Sequence, residues 1–226
     1  MSLSYPWLHE TVRKRFESDA AMEAFLPQPL SAAELEAQGD GRCLSAMTQR
    51  VFQAGVQHSM VDAKWPAFEE AFAGFQPKAM ATLSAQDIER FMQDARLIRH
   101  RAKLETIPKN AAFVLDVARE HGSFARFIAH WPVADIVGLW ALLARRGARL
   151  GGRSAAGFLR LLGKDTFLLT SHVVERLQLA GVVQGNPHTQ RNVQAAQAAF
   201  NALHEASGRP RSQLSAMLAL SIHPAF

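Results

Sequence analysis

Apolar residues recur along this chain at intervals of three and four, the spacing of one buried helix face, and no run of alternating β-branched residues flanked by turn signals predicts a strand. In WPAFEEAFAGF, Phe68 and Phe72 stand four apart beside Glu69 and Glu70, which predicts a short helix opening after Pro66 and ending near Gly74 and Pro77. Ser84 with Asp87 three positions on reads as a capping pattern ahead of Ile88, Phe91 and Met92. Pro108 fits the first turn of a helix through Phe113, Val114, Val117 and Ala118 to a stop at Gly122, and Phe124 and Phe127 open another closed by Pro132. The densest apolar stretch, 136–146, predicts a buried helix with a basic exit that stops at Gly147. A helix over 154–162 closed by Gly163, and two terminal helices over 192–207 and 210–221, complete an all-α expectation.

Composition narrows the class. The chain has 226 residues, 48% of them hydrophobic, enough for one large or two small domains with a buried core. No run approaches 18 consecutive apolar residues, and the start lacks the basic and apolar regions of a signal peptide, so the expectation is a cytoplasmic protein with no membrane partner. The single cysteine, Cys43, excludes an internal disulfide and a thiolate-rich zinc module.

Charge is unevenly spread. The net charge is +5, yet residues 1–40 hold Arg13, Lys14 and Arg15 against Glu10, Glu17, Asp19, Glu23, Glu34, Glu36 and Asp40. From Arg145 to Lys164 the bases Arg145, Arg146, Arg149, Arg153, Arg160 and Lys164 face no acid in sequence. Such a stretch suits a polyanion through counterion release, and equally suits a solvated helix face.

The segment RRGARLGGRSAAGFLRLLGKDTFLLTSHVVER joins two helices through Leu150, Gly151, Gly152 and Arg153. Unpaired N–H groups at the start of the second helix, at Gly152, Arg153 and Ser154, can bind a phosphate without reading bases. On pattern alone it is also an ordinary αα-hairpin with a glycine turn.

This segment is similar to the C-terminal part of the DNA-3-methyladenine glycosylase I family. A second block resembles the same family: Phe52-Gln53-Ala54-Gly55, then a helix ending in an Ala-Phe pair, then Asp94, then Ile98-Arg99-His100-Arg101-Ala102-Lys103. The resemblance spans about Cys43 to Arg176. It implies a helix-hairpin-helix glycosylase-like bundle: a divergent N-terminal helical segment (1–40), a core (41–183) and C-terminal helices (184–226) packing on it as one compact unit. It further implies that Gln53 fills the gap left by an extruded base and that Gly55 with Val56 parts the base stack. Alone, the Gln-Ala-Gly run reads equally as a helix end of small residues.

Two positions in the base pocket depart from the family. Arg50 stands where members place a glutamate that bonds the flipped purine, which replaces an attraction for a cationic base with a repulsion, unless Arg50 pairs instead with an acidic neighbour. His58 replaces the stacking tryptophan. Thr170 occupies the position of the catalytic aspartate of the wider helix-hairpin-helix glycosylases, two residues before His172. His172 matches one zinc histidine, but Glu175 and Arg176 follow where a cysteine is needed, so neither metal nor cofactor is expected.

The expected function is excision of a damaged base, an alkylated purine, from duplex DNA by a monomer without an obligate protein partner, with Arg50, His58 and Thr170 as site residues. The alternatives are a DNA-binding protein that has lost excision and a structural protein whose basic stretch binds another anion.

Overall fold

The computed structural model describes residues 3–222. Among the described residues the chain is all α: α1 (Tyr5–Arg13), α2 (Asp19–Phe25), α3 (Ala32–Ala37), α4 (Gly39–Gln53), α5 (His58–Ala71), α6 (Pro77–Met80), α7 (Ala85–Gln93), α8 (Arg101–Leu104), α9 (Thr106–His121), α10 (Phe124–His130), α11 (Ile136–Arg146), α12 (Arg153–Leu162), α13 (Ser171–Leu179), α14 (Gln190–Ser207) and α15 (Arg211–Leu220). No single helix is long and apolar enough to cross a membrane.

The chain divides into two compact units, one of residues 30–131 with 139–164, the other of 3–29, 132–138 and 165–222. The stretch 41–183 contributes to both units.

The larger unit is built on α4, whose residues 43–49 and 51–53 are all buried. Its aromatic core stacks Trp65 on Phe68 (ring centroids 4.8 Å apart) and on Phe75 (5.7 Å), and sets the Phe72 ring at a tilt against Phe91 (4.3 Å). Trp65 needs a partner for its buried N–H and finds two, Ser45 Oγ at 3.0 Å and Glu69 Oε1 at 3.1 Å. The capping box at Ser84 and Asp87 starts α7, as the pattern predicts. Pro66 does not open a helix: it lies inside α5, which begins at His58. Proline is tolerated there because the carbonyl it leaves unbonded, that of Asp62, belongs to an exposed residue. Lys164, the last cation of the basic stretch, is buried, and its Nζ donates to the carbonyls of Ala129 and Trp131, both at 2.8 Å, at the C-terminal end of α10.

The smaller unit ties its N-terminal helices to α15 through side chains. Arg209 pairs with Glu23 and donates to Tyr5 Oη at 2.8 Å, while Arg176 lies over the Trp7 ring (4.8 Å) and donates to Ser221 Oγ at 2.9 Å. Asp165 accepts from the backbone N–H groups of Arg211 (3.0 Å) and Ser212 (2.7 Å) and so caps α15. Phe167 stacks on Phe200 at 4.3 Å in its core.

Candidate nucleic-acid interface

Two exposed loops of the larger unit carry most of the residues singled out in the sequence. The first follows α4. Gly55 has φ of 80°, which only glycine adopts without strain, and it turns the chain so that residues 54–60 are all exposed. Val56 and Met60 are large apolar side chains left 38% and 49% exposed. Met60 carries no sequence signal of its own; only its exposure marks it. Gln53 is not on this tip. It is buried, and its Nε2 donates to Asp62 Oδ1 at 2.8 Å, the oxygen that also accepts from Gln49 Nε2 at 2.9 Å.

The second loop is the hairpin between α11 and α12. Gly152 sits at φ 57°, ψ −127°, a conformation essentially confined to glycine, and Ser154 N bonds back to Gly151 O at 3.1 Å. Arg145, Arg146, Arg149 and Arg153 are exposed around it, Gly151 and Gly152 are exposed, and Ser154 is buried. Arg146 lies over Phe113 (5.0 Å) and within 4.0 Å of Asp116, so part of the basic stretch is engaged on α9.

Arg50 lies between α4 and α12. Its Nη1 is 3.2 Å from His58 Nε2, and its Nε is buried without a hydrogen-bond partner. A Cβ at Gly157 would lie 2.9 Å from Arg50 Cδ and Cζ, so α12 leaves room for this guanidinium only because residue 157 is glycine. Burial, and after it the charge of Arg153, hold the Arg50 guanidinium below its usual pKa. No carboxylate pairs with Arg50 among the described residues, which removes the acidic-neighbour alternative. Because a guanidinium only donates, His58 Nε2 accepts and Nδ1 carries the hydrogen, presenting a second donor.

Thr170 belongs to the smaller unit. Its hydroxyl is the N-cap of α13, accepting from Val173 N at 3.4 Å. Among the described residues no group of three or more His, Cys, Asp or Glu stands together to hold a metal.

Residues 35–139 match the family model of the methyladenine glycosylases. That stretch is a little under half of the chain, and over it the sequence resembles the methyladenine glycosylases. It is 45% identical over 89 residues to a DNA-3-methyladenine glycosylase of Haemophilus influenzae, covering 38% of this chain and 48% of that one. It is 34% identical over 76 residues to DNA-3-methyladenine glycosylase 1 of Escherichia coli, covering 34% and 41%. The chain thus matches less than half the length of either relative. A crystal structure of a variant of 3-methyladenine DNA glycosylase I from Staphylococcus aureus is similar over 61% of this chain and 81% of its own, with TM-score 0.50 and 25% identity. A second structure of that enzyme, described as showing the basis of 3-methyladenine recognition, covers 69% and 91% with TM-score 0.51 and 23% identity, and shows the shared fold. Arg50, Gln53, Gly55, Val56 and His58 lie inside the family stretch; the hairpin and Thr170 lie beyond it.

Proposed function

We propose that this chain is a monofunctional DNA glycosylase that flips a damaged, alkylated purine carrying no positive charge out of duplex DNA and hydrolyses its N-glycosidic bond. The observation that carries the reading is the Arg50–His58 pair, two hydrogen-bond donors with no carboxylate between them, inside the stretch that matches the family model of the methyladenine glycosylases. Val56 and Met60 part the stack, and the backbone N–H groups at Gly152 and Arg153 hold a phosphate, that of Ser154 being bonded to Gly151 O. The bacterial relatives are glycosylases of 3-methyladenine, a cation in DNA. Here the half-buried guanidinium opposes a cation and favours acceptor atoms.

The pair also suggests how the bond breaks. When the C1′–N bond of a neutral purine breaks, its electron pair goes to the base, and negative charge develops on the ring nitrogens. Arg50 and the Nδ1–H of His58 are donors of the kind that stabilise such charge; water then adds to C1′, and the proton it loses ends on the base nitrogen, so that the purine leaves neutral. This places the assistance on the leaving base rather than on the sugar, where a carboxylate would act. A second reading, a DNA-binding protein without excision, is favoured by Thr170, whose hydroxyl is used as a helix cap. Incubation with alkylated duplex DNA followed by alkali separates the two: strand breaks at abasic sites are expected of the first, and retention of DNA without breaks of the second.

A further inference from the structure

Lys103 is buried, 7% exposed, and the proposed excision chemistry does not use it. Its Nζ donates to Phe52 O at 2.9 Å and Ala54 O at 2.8 Å, the carbonyls at the C-terminal end of α4 where the exposed loop begins. A cation there meets the negative end of the helix and replaces the bonds that the last turn leaves unmade. Burial, and next Arg149, lower its pKa from the usual lysine value, so the anchor is held against a desolvation cost. Asn110, 0% exposed, makes the matching contact with the hairpin: its Nδ2 donates to Ala148 O at 3.2 Å, and Ala148 N donates to its Oδ1 at 2.7 Å. Bonding both groups of one residue fixes the hairpin against rotation as well as displacement.

The two anchors share one support. Only Glu105 separates α8 from α9, with helical φ and ψ of −63° and −12°, and Thr106 Oγ1 donates to Lys103 O at 2.6 Å across the junction. Residues 103 and 110 are seven apart, so they lie on one face, two turns and about 10.5 Å from each other. Both are buried, as is Ile107 between them.

We infer that Lys103 and Asn110 form a brace that fixes the spacing between the loop 54–57 and the hairpin 147–152, so that parting the base stack and gripping the phosphate are one event. Both are positioning residues. The inference rests on the reading that these loops meet DNA, but its mechanical half concerns the protein alone. Spin labels at Gln57→Cys and Gly151→Cys report that half; Cys43 is buried, and Gly151 has open space and no positive φ, so it takes a side chain. The expected result is one narrow distance distribution that broadens in Lys103→Met and in Asn110→Leu. An unchanged width in folded variants overturns the brace whatever the protein does with DNA. If Lys103→Met or Asn110→Leu fails to fold, Asn110→Asp keeps the acceptor for Ala148 N–H, loses the donor, and is expected to broaden the distribution less.

The functional half is read with 2-aminopurine as the flipped base. Flipping amplitude should fall at least about tenfold in the brace variants, the size of one charge-assisted hydrogen bond, while duplex affinity changes less than about threefold. Affinity and flipping falling in parallel, or flipping retained despite a broadened distribution, overturns the inference. A parent protein that binds no duplex at all overturns the functional reading instead, and the two failures are thereby told apart.

Discussion

Arg50 Nη1 and His58 Nε2 stand 3.2 Å apart, and neither side chain is bonded to a carboxylate among the described residues. The pair joins the last turn of α4 to the first residue of α5, and Gly157 gives the guanidinium its place. If this pair sets the lesion, restoring the family's residues should reverse the preference. Arg50→Glu combined with His58→Trp is expected to gain about tenfold or more in the rate at which 3-methyladenine, cationic while joined to the sugar, is released from alkylated duplex DNA, one opposed charge at intermediate dielectric. Time courses of 3-methyladenine release by parent and double variant check it; a parent that already releases it as fast as the variant contradicts it.

The burial of Gln53 against Asp62 changes which side chains should enter the DNA. To fill a vacated stack, Gln53 would have to break its 2.8 Å bond to a carboxylate, whereas Val56 and Met60 are already exposed. Val56→Gly and Met60→Ala should each lower 2-aminopurine flipping with little change in Tm. Gln53→Ala should mainly lower Tm. Loss of flipping at unchanged Tm in Gln53→Ala would return the plug to Gln53.

Much of the fold was legible because its signals are local. The capping box of α7, the glycine stop after α12 and the apolar face of α11 each lie within a few residues, and the structure keeps all three. Pro66 misled because the rule that proline opens helices is also local, and an exposed position on α5 tolerates what the rule forbids. The fates of Gln53, Lys103 and Lys164 were illegible for another reason. Each is fixed by a partner 9 to 51 residues away, Asp62, the carbonyls of Phe52 and Ala54, and those of Ala129 and Trp131. Composition shows a polar side chain but not the carbonyl that will claim it.

The hairpin should contribute charge and backbone contacts without sequence preference. Arg153→Glu is expected to weaken binding to every duplex and to reduce the slope of log affinity against log salt by about 1 to 2, because one phosphate loses its cation and meets a carboxylate instead. Fluorescence anisotropy across a salt series measures both. An unchanged slope would take Arg153 out of the interface.

Cys43 offers a pH test of the larger unit. Burial, and then Asp40, raise its thiol from the ordinary 9.0 to about 12. A group raised in the folded state supports stability fully below its unfolded pKa and loses it as pH climbs toward the folded one, so the penalty falls between pH 9 and 12. Thiol reagents should therefore leave the folded protein unlabelled at pH 8. From pH 9 to 11 the parent should lose stability relative to Cys43→Ala, with a slope approaching about 1.4 kcal/mol per pH unit. Chemical denaturation of both proteins at each pH checks it, and parallel curves would show that the thiol does not titrate with unfolding.

The central claim, that the Arg50–His58 pair serves excision of an uncharged damaged base, is met most directly by identifying what the protein releases. Alkylated duplex DNA is incubated with the parent protein, and the free bases are separated from polymer and analysed by mass. The account predicts a neutral alkylated purine released in excess over 3-methyladenine, with an equal number of abasic sites, and loss of that release in Arg50→Ala. Release of 3-methyladenine as the main product, or no free base from any alkylated duplex by a protein that binds it, would contradict the account.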